Sequence, residues 1–92
     1  MSEPRLTALV LRCEDLEATA DFYRGLGLEL TSEQHGEGPP HYSCQLSGLL
    51  LELYPGGSRA SDARERLTLH LGAEARLLTD PDGRRVELQP ED

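Results

Sequence analysis

Leu6-Thr7-Ala8-Leu9-Val10-Leu11-Arg12-Cys13-Glu14-Asp15-Leu16-Glu17-Ala18-Thr19-Ala20-Asp21-Phe22-Tyr23-Arg24-Gly25-Leu26-Gly27 changes its period halfway along. Leu6 to Arg12 is a β-favouring run that stops at the acidic pair Glu14-Asp15. From Asp15 to Arg24, Leu16, Ala20 and Tyr23 recur at helical spacing, with Thr19 and Phe22 alongside. Asp15 can accept the free N–H groups of a first helical turn, and Gly25 or Gly27 can end the helix in a left-handed conformation. One strand followed by one amphipathic helix of about ten residues is the reading.

Downstream of the helix the pattern is that of strands. Leu28 to Thr31 is a short one, followed by a polar loop with glycine and proline from Gln34 to Pro40. His41 to Leu46 and Leu49 to Tyr54 flank Ser47-Gly48, the grammar of a hairpin. Pro55 through Asp62 resembles a linker between two halves of one domain. Arg66 to Leu71 alternates Leu67, Leu69 and Leu71 on one face, and Gly72-Ala73-Glu74 reads as a hairpin connection to Ala75–Thr79. Asp80-Pro81-Asp82-Gly83 is a turn signal, since Pro presets the second turn position and Gly tolerates positive φ, and Arg84 to Gln89 is the last strand. Pro90-Glu91-Asp92 reads as a frayed tail. The fold class is α+β with mostly antiparallel pairing.

Composition narrows the function classes. At 92 residues the chain is one domain, 1–92, whose thin core makes a homodimer the expected source of further burial. Nine basic residues, all Arg, stand against seventeen acidic ones for a net charge of −8. Dispersed Arg among carboxylates excludes a generic nucleic-acid surface, and the acidic body favours cationic ligands. Without Lys there is neither a Schiff-base nucleophile nor a phosphate-binding P-loop. No apolar run reaches membrane-spanning length, and the first residues lack the order of a secretory signal, so a cytoplasmic address without membrane partners is expected. Cys13 and Cys44 lack any metal-type spacing and read as free, buried or half-buried thiols.

Three stretches together resemble the vicinal oxygen chelate superfamily of glyoxalases, bleomycin-resistance proteins and extradiol dioxygenases. They are Leu11–Leu16 with Asp21–Leu28, the strand Leu50-Leu51-Glu52-Leu53-Tyr54, and Asp80-Pro81-Asp82-Gly83-Arg84-Arg85-Val86-Glu87-Leu88. The resemblance implies paired βαβββ modules forming an open curled barrel, module one at about 5–55 and module two at about 64–90. Only three residues separate Leu71 from Ala75, so module two lacks its helix. A leucine face left uncovered by that loss is a second reason to expect a dimer.

Metal-dependent members of the superfamily place a ligand at the start of the first strand and in the last strand of each module. By this resemblance the late positions fall on Glu52 and Glu87, and the early ones on Ala8 and Arg66. Ala8 offers no lone pair and Arg66 repels a cation, so the expectation is no metal and no cofactor. Strand parity groups Leu50, Glu52 and Tyr54 on one face, and Arg66, Thr68 and His70 on another, with the polar sets converging on the concave side. Glu52, Glu87, Arg66, His70, Tyr54 and Arg12 are the candidate ligand-binding residues. Each glutamate has a purely structural alternative, a pairing with Arg66 or Arg85. His41, beside Pro39-Pro40, reads as exposed, and Tyr42 and Tyr54 as packing residues that could line a pocket.

The expected function is metal-free sequestration of a small, cationic or polar organic molecule, without catalysis. One alternative is a divalent-metal lyase, isomerase or dioxygenase holding its ion with Glu52, Glu87 and a recruited His70 or His41. Another is an accessory protein without a ligand.

Overall fold

The computed structural model describes residues 3–56 and 65–90; the linker-like stretch from Gly57 onward and the tail residues Glu91 and Asp92 lie outside them. The elements are β1 (Ala8–Cys13), α1 (Leu16–Leu26), β2 (Thr31–Glu33), β3 (His41–Leu46), β4 (Leu49–Pro55), β5 (Arg66–His70), β6 (Arg76–Thr79) and β7 (Arg85–Gln89). Both helix ends form where the chemistry demands. The Asp15 carboxylate accepts from the Ala18 N–H at 3.1 Å, and Gly27 closes the helix at φ 113°, its N–H donating to the Arg24 carbonyl. Leu28 and Leu30, expected in a strand, are buried in the irregular segment before β2.

Among the described residues two sheets result, with no closed barrel: β1-β4-β3-β2 and β5-β7-β6. In the first, β1 runs parallel to β4 and the other pairs are antiparallel. The second repeats that plan in reduced form, with β5 parallel and β6 antiparallel to β7. Gly72-Ala73-Glu74 is therefore not a hairpin: β5 and β6 do not pair, and β7 lies between them. Residues 71–75 can extend to roughly 16 Å, whereas stepping across one intervening strand requires roughly 10 Å. The link is long enough for either arrangement, so its length does not choose between them.

The core is one continuous cluster drawn from both halves. Ala20 and Tyr23 of α1, Leu11 and Cys13 of β1, Leu51 and Leu53 of β4, and Val86 and Leu88 of β7 are all buried in it. Leu67, Leu69 and Leu71 are half-buried against the same cluster, and the Leu71 side chain approaches the helix end at Gly27. The leucine face of module two is thus not left bare. Helix α1, the one helix among the described residues, serves both sheets, which removes the uncovered face as a reason for dimerisation.

Polar contacts seal the same seam. Asp80 accepts from the Tyr23 hydroxyl at 2.7 Å, from the backbone N–H groups of Asp82 and Arg84 at 2.9 and 3.0 Å, and from Arg84 Nη1 at 3.3 Å. Asp82 accepts from the Glu14 N–H at 2.9 Å and from Thr19 Oγ1 at 3.1 Å. Arg84 reaches the Arg12 carbonyl and Glu65. The Asp-Pro-Asp-Gly segment is the expected turn, with Gly83 at φ 90°, and it also bolts module two to β1 and α1.

Candidate functional site

Because the leucine faces of both sheets belong to one core, the opposite faces turn outward. On the first sheet the register assembles these outward residues into rows. One row crosses all four strands: Arg12 pairs with Tyr54, Tyr54 stacks on His41, and His41 pairs with Glu33. The neighbouring row is Val10, Glu52, Ser43 and Thr31.

His41 organises the site. Expected to be exposed, it is only 2% so, because β3 begins at this residue and turns its ring under Tyr54. The two rings are 8° from parallel with centroids 4.2 Å apart, and the Arg12 guanidinium stands 5.2 Å from the Tyr54 ring. His41 Nδ1 lies 3.2 Å from the Pro39 carbonyl, which can only accept, so this nitrogen carries the proton. Nε2 faces two carboxylates, Glu33 at 3.5 Å and Glu52 at 3.7 Å, with the Tyr54 hydroxyl at 3.4 Å. A groove of about 400 Å³ continues along this face, lined by Glu29, Thr31, Glu33, Ser43, Gln45 and Leu50.

Glu87 occupies a different setting. It lines a groove of about 320 Å³ on the second sheet with Arg66, Arg76, Leu77 and others. Its lateral neighbours are Thr68 and Leu77, and those of Glu52 are Val10 and Ser43. Among the described residues Glu52 and Glu87 share no hydrogen bond or ion pair, and neither pairs with Arg66 or Arg85. His70 is exposed on β5, and Tyr42 turns to the helix side, donating to Glu17 at 2.8 Å. The residues at the four positions named by the resemblance do not fit a cation: one is a methyl, one a guanidinium, and the glutamates have no imidazole beside them except the offset His41.

Nucleophilic chemistry has no support from the thiols. Burial pushes Cys13 up to about 11 and raises Cys44 as well, so both stay protonated at neutral pH. Glu33 and His35 are the residues that reading the sequence missed. Glu33 is the last residue of a three-residue strand, too short for a visible alternation, and only its pairing with His41 brings it into the site.

No protein-family model matches the chain, and no curated protein matches its sequence. Solved structures do match its fold. The oxidase ChaP-H2 superposes with a TM-score of 0.73 at 15% identity, covering 99% of this chain and 96% of that one. A lactoylglutathione lyase from Agrobacterium tumefaciens gives 0.64 at 15% identity, covering 95% and 93%. A bleomycin-binding protein complexed with bleomycin gives 0.59 at 19% identity, covering 98% and 100%. Among the described residues, no helix is long and apolar enough to cross a membrane.

Proposed function

Starting from a chain with the vicinal oxygen chelate fold, we infer that it binds a small cationic or hydrogen-bond-donating organic molecule on the outward face of its first sheet. No metal at the positions inherited by that fold takes part. The observation that carries this reading is the row Arg12, Tyr54, His41 and Glu33, flanked by Glu52 and opening on an acidic groove. Flat rings offer a stacking surface, and the carboxylates of Glu29, Glu33 and Glu52 offer acceptors that, among the described residues, form no ion pair with an Arg. The net charge of −8 draws cations from a distance. A groove of about 400 Å³ suits a small molecule or one arm of a larger one. The bleomycin complex among the similar structures supports an organic ligand on this scaffold.

A homodimer suits the reading. Val10 on the Glu52 face is 43% exposed and Leu77 beside Glu87 is 60% exposed, and a second copy would shield both. The protein acts as a cytoplasmic sequestering partner rather than an enzyme.

The test is calorimetric titration with a panel of small aromatic amines and, separately, with bleomycin, on the wild-type chain and on Glu52→Gln and Glu87→Gln. Binding that weakens at least tenfold in Glu52→Gln, about 1.4 kcal/mol, and stays level in Glu87→Gln is the expected result. Equal loss in both variants, or affinity confined to anionic molecules, would overturn the reading.

A further inference from the structure

Two imidazoles and a carboxylate converge at the margin of the first sheet, on none of the four positions named by the resemblance. Glu33 ends β2, His41 opens β3, and His35 lies in the connection between them. One ligand atom from each lies within 4.8 Å of the others. Glu33 Oε1 is 3.5 Å from His41 Nε2 and 3.8 Å from His35 Nε2. A tetrahedral site with bonds of about 2.0–2.1 Å sets its ligand atoms roughly 3.4 Å apart. Two edges of such a site are nearly closed, and the third closes by rotation of the exposed His35 ring.

His41 is arranged as a ligand. Its Nδ1–H is held by the Pro39 carbonyl, the outer contact that orients metal-binding imidazoles. Tyr54 lies over the ring face, so its hydroxyl is off the in-plane direction of the Nε2 lone pair. Nε2 faces the carboxylates of Glu33 and Glu52 at 3.5 and 3.7 Å, longer than an ordinary hydrogen bond. One proton on Nε2 satisfies one carboxylate, whereas a divalent ion neutralises both and uses the lone pair directly.

We propose that Glu33, His35 and His41 form a site for a late first-row divalent cation, Zn²⁺ being the best match, with the fourth position left to water. Two imidazole nitrogens, one carboxylate oxygen and a water suit that ion, and occupancy ties the connection between β2 and β3 to both strands it joins. The site shares Glu33 and His41 with the proposed ligand face but adds His35 and leaves Glu52 out, so loss of ion uptake in His35→Ala and loss of organic binding in Glu52→Gln are separate readouts.

Co²⁺ titration of the whole chain, read by its visible absorption and followed by displacement with Zn²⁺, tests it. The expected result is about one ion per chain with the intense bands of a tetrahedral nitrogen and oxygen set. His35→Ala, on an exposed ring, leaves the melting curve of the metal-free protein unchanged and weakens uptake at least tenfold, while His70→Ala changes neither. Absence of uptake, uptake indifferent to His35→Ala, or a thiolate charge-transfer band reporting Cys13 or Cys44 would each overturn the proposal.

Discussion

Two clusters of charged side chains sit at opposite ends of a scale of closure. In the seam formed by Asp80, Asp82, Arg84, Tyr23 and Thr19, the acceptors have donors at 2.7–3.3 Å and the side chains are almost wholly buried. Around His41, the carboxylates of Glu33 and Glu52 stand off at 3.5 and 3.7 Å, and among the described residues neither has a closer donor. The first cluster has completed its chemistry within the chain. The second presents acceptors that only an outside donor or cation satisfies, and this contrast separates a structural charge group from a binding one.

Breaking the seam has the largest expected effect. Arg84→Ala leaves two buried carboxylates without their cation and costs about 3–5 kcal/mol, measured as a lowered midpoint in urea unfolding. A loss under about 1 kcal/mol would mean that the seam is no more closed than the site.

Alkaline pH probes the seam by another route. The folded Cys13 thiol titrates at about 11 against 9.0 for the free group, because burial opposes the thiolate. The unfolded chain therefore releases its proton first, and stability declines from pH 9 upward, by about 2–3 kcal/mol at pH 11. Tyr23, raised by burial and by its hydrogen bond to Asp80, extends the decline above pH 10. Denaturation midpoints across this window check the slope, and Cys13→Ala flattens its first part.

The smallest effect belongs to the site. Glu33→Gln removes one of two mutually repelling carboxylates and shifts stability by less than about 0.5 kcal/mol in either direction, checked by the same urea curves. A loss comparable to that of Arg84→Ala would make the His41 cluster structural and erase the contrast.

Local chemistry made much of this readable in advance. Asp15 and Gly27 fix the helix ends within two residues, and β3 and β4 are bounded by the tight turn at Ser47-Gly48. What the sequence conceals depends on residues far apart. The β5 to β6 link reads as a hairpin because its length permits one, and only the core contacts of Val86 and Leu88 insert β7 between the two strands. His41 reads as exposed from its proline neighbours, while its burial comes from Tyr54, thirteen residues away. Asp80 and Asp82 read as turn residues, since nothing near them reveals Tyr23 and Thr19 across the seam. Of the candidate residues, Glu52, Tyr54 and Arg12 share the His41 neighbourhood, whereas Glu87 and Arg66 share a separate groove and His70 stands apart.

A helix shared by two sheets makes the repeat visible in the strand plan a poor guide to how the chain assembles. Neither half owns enough covering material to hide its own leucines, so neither is an autonomous piece. Tyr23 acquires its partner only when Asp80, fifty-seven positions later, has arrived. Folding must then wait for nearly the whole polypeptide, and one helix lying over both sheets makes them a single cooperative body.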